Sequence, residues 1–177
     1  MRTFTFTADC PYVDKPEAQA PPAHIAKIWV TLVPQVQQFC QFLDLDDPTF
    51  RLKQYLGLDP NRRYQRFMEI WLRPDDIFRP CADPEPDDNA CALTMDIEAP
   101  PTVGGISDYP HYFQQMKREA YTLTGAPWTR LGYTYDWAYG RRGLGASEYV
   151  VAPQAHFFIA GSFTTEQYCA PGDSVNR

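Results

Sequence analysis

The chain has 177 residues, of which 44% are hydrophobic and 15% aromatic, so it can enclose one sizeable core and is expected to form one domain. Acidic residues outnumber basic ones by 22 to 16, and the resulting formal charge of -6 disfavours nucleic acid as a partner. No segment approaches the roughly 18 consecutive apolar residues that span a bilayer, and residues 1–7 alternate instead of forming the apolar block of a signal peptide. We therefore expect a soluble chain without a membrane partner.

The N-terminal part of the chain is expected to contribute little to the core. Prolines occupy positions 11, 16, 21 and 22, and large apolar residues are few, which predicts an extended arm over residues 1–23. The remaining residues, 24–177, are predicted to form the single domain. It begins with a strand over residues 25–33, a segment rich in β-branched residues.

Two short helices are predicted next. Pro34 begins the first, in which apolar residues recur at the spacing of one helical face. In the second, Asp47 and Pro48 suit the N-terminus, and Gly57 suits a left-handed cap at the C-terminus.

Residues 65–72 and 91–98 are both predicted to be strands, in different surroundings. In 65–72 the residues that would point to either face of the strand are largely apolar, which predicts a central strand covered on both sides. In 91–98 apolar and polar residues alternate, which predicts a strand with one face in water. The acidic loop between them lacks the glycine and terminal glutamate of an EF-hand, so we interpret it as a solvated loop.

The second half of the chain is predicted to contain the longest helix and several strands. Asp108 is placed to cap a helix that runs to about Thr124, and the Thr164-x-x-Gln167 spacing predicts a capping box before a final helical turn. The predicted strands in this half are 128–137, 148–151 and 155–159. Alternating strands interspersed with helices predict an α+β fold, with a mainly antiparallel sheet that the pattern allows to be split and three or so helices.

The five cysteines lack the CxxC spacing of a zinc or thioredoxin-like site, and no metal site is predicted. Cys40 lies on the apolar face of its predicted helix and is interpreted as a buried, unpaired thiol. The others, Cys10, Cys81, Cys91 and Cys169, allow two bridges, and a Cys81–Cys91 bridge would close the acidic loop. Bridges would favour a secreted or periplasmic location, whereas five reduced thiols would favour the cytoplasm, and both alternatives stay open.

A cluster of polar residues around a glycine-containing loop is the candidate ligand site. Arg130, Thr134 and Asp136 share one face of a predicted strand, and Glu148 would come within reach if the next strand pairs antiparallel. A guanidinium, a hydroxyl and two carboxylates suit a small polar ligand, and Tyr133 could stack on a planar one. The alternative is an ion pair of Arg130 with Asp136 or Glu148 on a solvated strand face.

The glycine loop is followed by the segment Ser147-Glu148-Tyr149-Val150-Val151-Ala152-Pro153-Gln154-Ala155-His156-Phe157-Phe158-Ile159. With a glutamate entering a strand, two aliphatic residues, a proline bend and an aromatic-aliphatic strand, residues 143–159 resemble the catalytic-glutamate strand of ADP-ribosyltransferase toxins. The resemblance implies that Glu148 hydrogen-bonds the nicotinamide ribose of NAD and stabilises an oxocarbenium-like transition state. It also implies that Arg66 holds the phosphates or ribose of NAD, with Arg130 in a supporting contact, in a split β-sandwich with helices.

The chain departs from that family at two positions, and one of them narrows the implied activity. Phe67 follows Arg66 where a glycine is common. Ala146 stands two positions before Glu148 in place of an acidic residue, and its presence argues against transfer of ADP-ribose to arginine. The implied reaction is therefore NAD hydrolysis or ADP-ribosyl transfer to another acceptor, with NAD as substrate and no further cofactor predicted.

A second interpretation of the sequence is a non-catalytic protein-interaction or binding module of a secreted or toxin-associated system. The same arginines and aromatic residues would then recognise a protein partner. An enzyme should place Glu148 in a concave pocket, whereas a module should show it on a flat, solvated strand face.

Overall fold

The structure is a computed structural model, and it describes residues 2–7, 27–64, 66–123, 125–138 and 143–171. Within these residues the fold is α+β, and the paired strands run antiparallel, which confirms the predicted fold class. The strands are β1 (Arg2–Thr7), β2 (Trp29–Leu32), β3 (Arg66–Trp71), β4 (Ile77–Phe78), β5 (Tyr133–Tyr135), β6 (Leu144–Ser147), β7 (Tyr149–Val151) and β8 (Phe158–Phe163). The α-helices are α1 (Gln35–Gln41), α2 (Thr49–Tyr55), α3 (Tyr109–Ala120) and α4 (Thr165–Cys169).

Six strands form one sheet in the order β4-β7-β2-β1-β3-β8, and β5 and β6 form a second, two-stranded sheet. The strand β1 lies between β2 and β3, so residues 2–7 belong to the middle of the sheet. The prediction of an extended arm over residues 1–23 is therefore wrong for this part, where alternating Thr and Phe favour a strand paired on both sides. Residues 8–26 lie outside the described residues.

One face of the six-stranded sheet carries an apolar cluster built from alternate strand residues. Its buried members include Val30, Met68, Ile70, Leu72, Ile77, Tyr149, Val151, Ala155 and Phe157. Their spacing follows the two-residue period of a strand, so β2, β3 and β7 present these side chains on the same side. The strand β3 is internal, between β1 and β8, and its four inner residues are buried, as the largely apolar sequence predicts.

The opposite face is covered by helices at two places. At one, residues of α1, α2 and α4 pack together with β3 and β6. At the other, α3 packs against β4 and β7 together with Trp29 and Trp128. Three buried polar residues lie on this same face: Thr31 in β2, Glu69 in β3, and Glu148, which directly precedes β7.

The helix termini follow the local sequence signals. The Asp108 carboxylate caps α3 by accepting a hydrogen bond from the backbone N–H of His111 at 2.9 Å. Thr164 and Gln167 form the predicted capping box of α4, and Gly57 has the left-handed φ of 65° expected just after α2. Among the described residues, no helix has both the length and the apolar character needed to cross a membrane.

The segment 91–98 is not a strand, contrary to the prediction. Asp96 accepts hydrogen bonds from two backbone N–H groups that follow it, at 2.8 and 3.1 Å, and such a local turn competes with an extended ladder. Leu93 and Ile97 are 85% and 91% exposed. The alternation of apolar residues wrongly predicted a strand here, because a strand also needs the edge of a neighbouring strand with which to form hydrogen bonds.

Two further elements are shorter than predicted. The strand predicted over 128–137 is limited to β5, because Arg130 and Gly132 have positive φ values of 62° and 70° that interrupt an extended chain. The helix α3 ends at Ala120, and Thr124, its predicted end, lies outside the described residues.

Two disulfide bonds are present, and one of them corrects a prediction. Cys81 is bonded to Cys91, which closes the acidic loop. Cys40 is bonded to Cys169, 129 residues away, so it is not the unpaired thiol predicted from its apolar surroundings. The reason is that α1 and α4 contribute to the same apolar cluster, which brings the two sulfurs together. Cys10 lies outside the described residues.

Candidate functional site

Glu148 lies at the junction where β6 leads into β7. Its backbone N–H donates a hydrogen bond to the carbonyl oxygen of Gly132 at 2.9 Å. The residues two positions away on either side, Ala146 and Val150, belong to the two helix-covered clusters. The Glu148 side chain is 8% exposed, and none of the described residues forms a hydrogen bond with its buried Oε2 atom. The carboxyl group thus lies between residues of two apolar clusters, with one oxygen to which the described part of the chain gives no partner.

Thr31 and Glu148 lie next to the last residue pair between β2 and β7. The register pairs Trp29 with Val150 and Val30 with Tyr149, and Thr31 and Glu148 are the residues that follow this pair on β2 and precede it on β7. If the antiparallel register continues by one residue, these two side chains share a face of the sheet. None of the described residues forms a hydrogen bond with the buried Oγ1 atom of Thr31.

Trp128 approaches this region from the loop before β5. Its ring contacts the ring of Trp29 edge-on, with 6.2 Å between the centroids, and its buried Nε1 atom has no hydrogen-bond partner in the described part of the chain. The same loop carries Gly132, the backbone partner of Glu148. We call the group formed by Thr31, Trp128 and Glu148 the Glu148 site. It offers an indole N–H donor, a hydroxyl that donates and accepts, and a carboxyl group.

Burial raises the pKa of Glu148 to about 8. Removal of the carboxylate from water by burial is the cause of this change. The group is therefore mostly neutral at pH 7, when it can both donate and accept a hydrogen bond. Acids with a pKa displaced by burial are concentrated at functional sites, which makes Glu148 the candidate reactive group.

Asp136 is held by the protein itself. Its carboxylate accepts two hydrogen bonds from Arg51, at 2.6 and 3.0 Å, and one from the backbone N–H of Ala138 at 3.0 Å. The side chains of Arg51 and Asp136 are only 12% and 4% exposed. The ion-pair partner of Asp136 is therefore Arg51 and not Arg130, the partner considered in the sequence-based alternative.

Thr134 likewise has internal partners. Its hydroxyl donates to the carbonyl oxygen of Tyr55 at 2.7 Å and accepts from the backbone N–H of Ala146 at 2.8 Å. These bonds join the end of α2 to both strands of the small sheet. The hydroxyl predicted to bind a ligand thus has one donor and one acceptor partner within the fold.

Arg130 and Tyr133 lie in and next to the loop that carries Trp128. The guanidinium carbon of Arg130 lies 5.8 Å from the ring centre of Tyr121, and none of the described residues forms a hydrogen bond with its buried Nε atom. Tyr133 pairs with Ser147, so its backbone helps to align β5 with β6. The ion pairs among the described residues do not include one between Arg130 and Glu148.

Arg66 is not brought to Glu148. Its guanidinium donates to the hydroxyl of Ser162 at 2.7 Å and to the carbonyl oxygen of the same residue at 3.1 Å. These bonds direct it towards β8, whereas β1 and β2 separate β3 from β7. Three strand spacings amount to about 14 Å. The role that the family resemblance implies for Arg66, holding the phosphates or ribose of NAD, stays a prediction.

Sequence reasoning did not identify Thr31 as part of the site. A strand was predicted there, but its approach to Glu148 depends on β2 pairing with β7, which lies far along the chain. Cys81, Asp83 and Cys91 place possible metal-ligand atoms within 4.8 Å of one another. Their two sulfurs are bonded to each other, so the free thiolates that a metal would need are not offered.

No family model, curated protein or solved structure matches this chain. The function therefore has to be argued from the chemistry of the Glu148 site. The resemblance of residues 143–159 to a toxin strand stays a prediction.

Proposed function

We propose that this protein binds a small polar molecule at the Glu148 site and that Glu148 takes part in the chemistry performed on it. The supporting observation is a set of three buried polar atoms to which the described residues give no hydrogen-bond partner: Thr31 Oγ1, Trp128 Nε1 and Glu148 Oε2. A buried polar atom without a hydrogen bond costs roughly 1–3 kcal/mol. Three such atoms on neighbouring elements favour a site whose hydrogen bonds are completed by a bound molecule.

The chemistry of the site defines the ligand that would fit it. The indole N–H donates, the Thr31 hydroxyl donates and accepts, and the neutral Glu148 carboxyl does both. The rings of Trp29 and Trp128 supply apolar surface beside these groups. The complementary ligand carries hydrogen-bond acceptors on a compact or planar group, since Glu148 is mostly neutral at pH 7.

NAD is the substrate that we propose, with the resemblance of residues 143–159 and the buried acid at the implied position as support. In NAD hydrolysis the bond between ribose C1′ and the nicotinamide nitrogen breaks, the nitrogen keeps the electron pair, and water adds to C1′ and releases one proton to the solvent. Nicotinamide leaves as a neutral molecule, so Glu148 would act as a carboxylate that stabilises the positive charge of the transition state. Because Arg66 is engaged with Ser162 and Arg130 lies over Tyr121, other groups would have to hold the phosphates.

Release of nicotinamide from NAD, followed between pH 6 and pH 9.5, tests this proposal. We expect turnover by the native chain, with a rate that rises as the pH passes about 8 and the carboxylate forms. Replacement of a reacting acid commonly costs about 100-fold or more, so Glu148→Gln should lower the rate at least that far. Glu166→Gln is the matched control, because Glu166 is an exposed glutamate on α4.

Two results would contradict the proposal at different levels. No nicotinamide release at any pH would remove NAD as the substrate. Tryptophan fluorescence, titrated with nicotinamide as the probe, then tests the binding function alone, because Trp29 and Trp128 border the site. Turnover that survives Glu148→Gln unchanged would remove Glu148 from the reaction.

A protein-interaction module is the second candidate function, and the exposed apolar side chains of residues 91–98 favour it. Leu93 and Ile97 are almost fully exposed on a segment anchored by the Cys81–Cys91 bridge. This function is preferred if both the NAD and the nicotinamide assays fail. The double variant Leu93→Ser, Ile97→Ser then removes the apolar surface without touching the Glu148 site.

A further inference from the structure

Arg79 follows β4 and is only 4% exposed, although its side chain is charged. Its Nη2 atom donates to the hydroxyl of Tyr149 at 3.3 Å, and the guanidinium carbon lies 5.3 Å from the centre of the same ring. Its Nη1 atom donates to the carbonyl oxygen of Ala90 at 3.5 Å and lies 3.9 Å from Cys91 Sγ. Arg79 therefore connects the disulfide-closed acidic loop to Tyr149, the residue that follows Glu148.

Gly132 lies against the same guanidinium. A Cβ atom at this position would come within 2.5 Å of Arg79 Nη1 and 3.0 Å of Cys91 Sγ, and the φ of 70° also favours glycine. The carbonyl oxygen of Gly132 accepts the backbone hydrogen bond of Glu148 at 2.9 Å. Arg79 thus contacts both the residue after Glu148 and the backbone partner of Glu148.

We propose that Arg79 is a positioning residue for Glu148 and that the Cys81–Cys91 bridge holds Arg79 in that position. The inference rests on the proposed function, since it assigns a residue that acts through Glu148 at the same site. Arg79 acts by packing and hydrogen bonding and not as a counter-ion, because burial accounts for the altered acidity of Glu148.

The physical basis is the enclosure of the Glu148 carboxyl. Without the guanidinium, the tight packing against Gly132 is lost, and the buried Tyr149 hydroxyl loses its donor. Both changes loosen the backbone on which Glu148 is mounted, and water then reaches the carboxyl group. A better-hydrated carboxyl is a stronger acid, so the titration of Glu148 reports the contact directly.

The alternative role for Arg79 is to anchor the acidic loop alone. Asp83 is the carboxylate of that loop closest to the bridge, with its Oδ1 atom 3.4 Å from Cys81 Sγ, and it accepts the N–H of Ala92. If Arg79 only anchors the loop, its substitution should change the stability of the protein without changing the pKa of Glu148. The charged groups whose influence on Glu148 the experiment has to consider are therefore Arg79, Asp83 and Arg130.

The test is an NMR titration of the Glu148 carboxyl carbon in the full-length, 13C-labelled protein, with Glu148→Gln used to assign the signal. The native midpoint is expected near pH 8. We expect Arg79→Met to lower it by about one pH unit or more, because hydration favours the charged form. Arg79→Lys, which keeps a long side chain and a donor for the Tyr149 hydroxyl, should restore part of the difference, and Tyr149→Phe should give a smaller decrease with little disturbance of the fold.

The disulfide part of the proposal has a matched control within the chain. The double variant Cys81→Ala, Cys91→Ala should lower the Glu148 midpoint in the same direction as Arg79→Met. The double variant Cys40→Ala, Cys169→Ala removes the other bridge, between α1 and α4, and should leave the midpoint where it is.

The proposal is overturned if folded Arg79→Met and Tyr149→Phe proteins titrate like the native chain. If the titration midpoint of Glu148 decreases equally in both cysteine double variants, the specific role of the Cys81–Cys91 bridge is overturned. These readouts need no substrate, so a failure to turn over NAD or to bind nicotinamide is distinguishable from a failure of the positioning role.

Discussion

Asp136 and Glu148 are two buried carboxyl groups from the same part of the chain, and their surroundings are opposite. Asp136 accepts three hydrogen bonds, two of them from Arg51, and is 4% exposed. Glu148 is 8% exposed, and its Oε2 atom accepts none from the described residues. Burial alone therefore does not distinguish a structural acid from a candidate reactive acid, whereas the supply of partners does.

The difference extends to the neighbouring hydroxyl groups. Thr134, close to Asp136, donates and accepts within the fold. Thr31, which follows the last β2–β7 pair as Glu148 precedes it, has no hydroxyl partner among the described residues. One region of the molecule thus has its polar groups satisfied internally, whereas the other contains buried polar atoms to which the described residues give no partner.

The largest expected effect is on the pH dependence of stability. The pKa of Glu148 rises from an ordinary 4.5 in the unfolded chain to about 8 in the folded protein, so the folded protein binds this proton more tightly. The contribution of Glu148 to the free energy of unfolding is complete below pH 4.5 and is lost as the pH rises to about 8. The free energy of unfolding decreases by at most roughly 5 kcal/mol over this range. Urea unfolding at a series of pH values measures it.

Glu148→Gln isolates this contribution from other titrating groups. The variant cannot ionise at position 148, so the difference in unfolding free energy between it and the native chain should change across the range from pH 4.5 to 8. Parallel stability curves for the two proteins would show that the carboxyl is not buried as an unpaired acid.

The next largest effect is expected for the paired acid. Asp136→Ala leaves the guanidinium of Arg51 buried without its carboxylate, and breaking a buried ion pair costs about 3–5 kcal/mol. Asp75→Ala is the control, because the Arg73–Asp75 pair is largely exposed and should contribute nothing measurable. Denaturant unfolding at pH 7 measures both. If Asp136 binds a ligand, as predicted from sequence, Asp136→Ala should leave the free energy of unfolding unchanged and weaken the affinity for that ligand.

The features that were correctly predicted are mainly local. Asp108 and the Thr164–Gln167 capping box specify helix starts within a few residues of themselves, and the apolar alternation around Met68 specifies an internal strand. These signals act over one turn or one strand, so a single sequence contains them in full.

The features that were missed depend on partners distant in sequence. Arg51 is 85 residues from Asp136, and Cys40 is 129 residues from Cys169, so neither pairing has a local signature. The approach of Thr31 to Glu148 likewise follows from strand order. The sequence could predict Glu148 as a candidate, but only the fold determines which of the nearby acids lacks a partner.

The smallest expected effect comes from the two threonines, and it sharpens the comparison. Thr134→Val removes a hydroxyl that bonds Tyr55 and Ala146, so it should destabilise the fold by about 1–3 kcal/mol. Thr31→Val removes a hydroxyl without a partner among the described residues, at nearly constant volume, so stability should stay the same or increase. Denaturant midpoints of the two variants, measured side by side, provide the test. A loss of stability in Thr31→Val as large as in Thr134→Val would mean that the Thr31 hydroxyl is already satisfied inside the protein, and the Glu148 site would lose one of its three open groups.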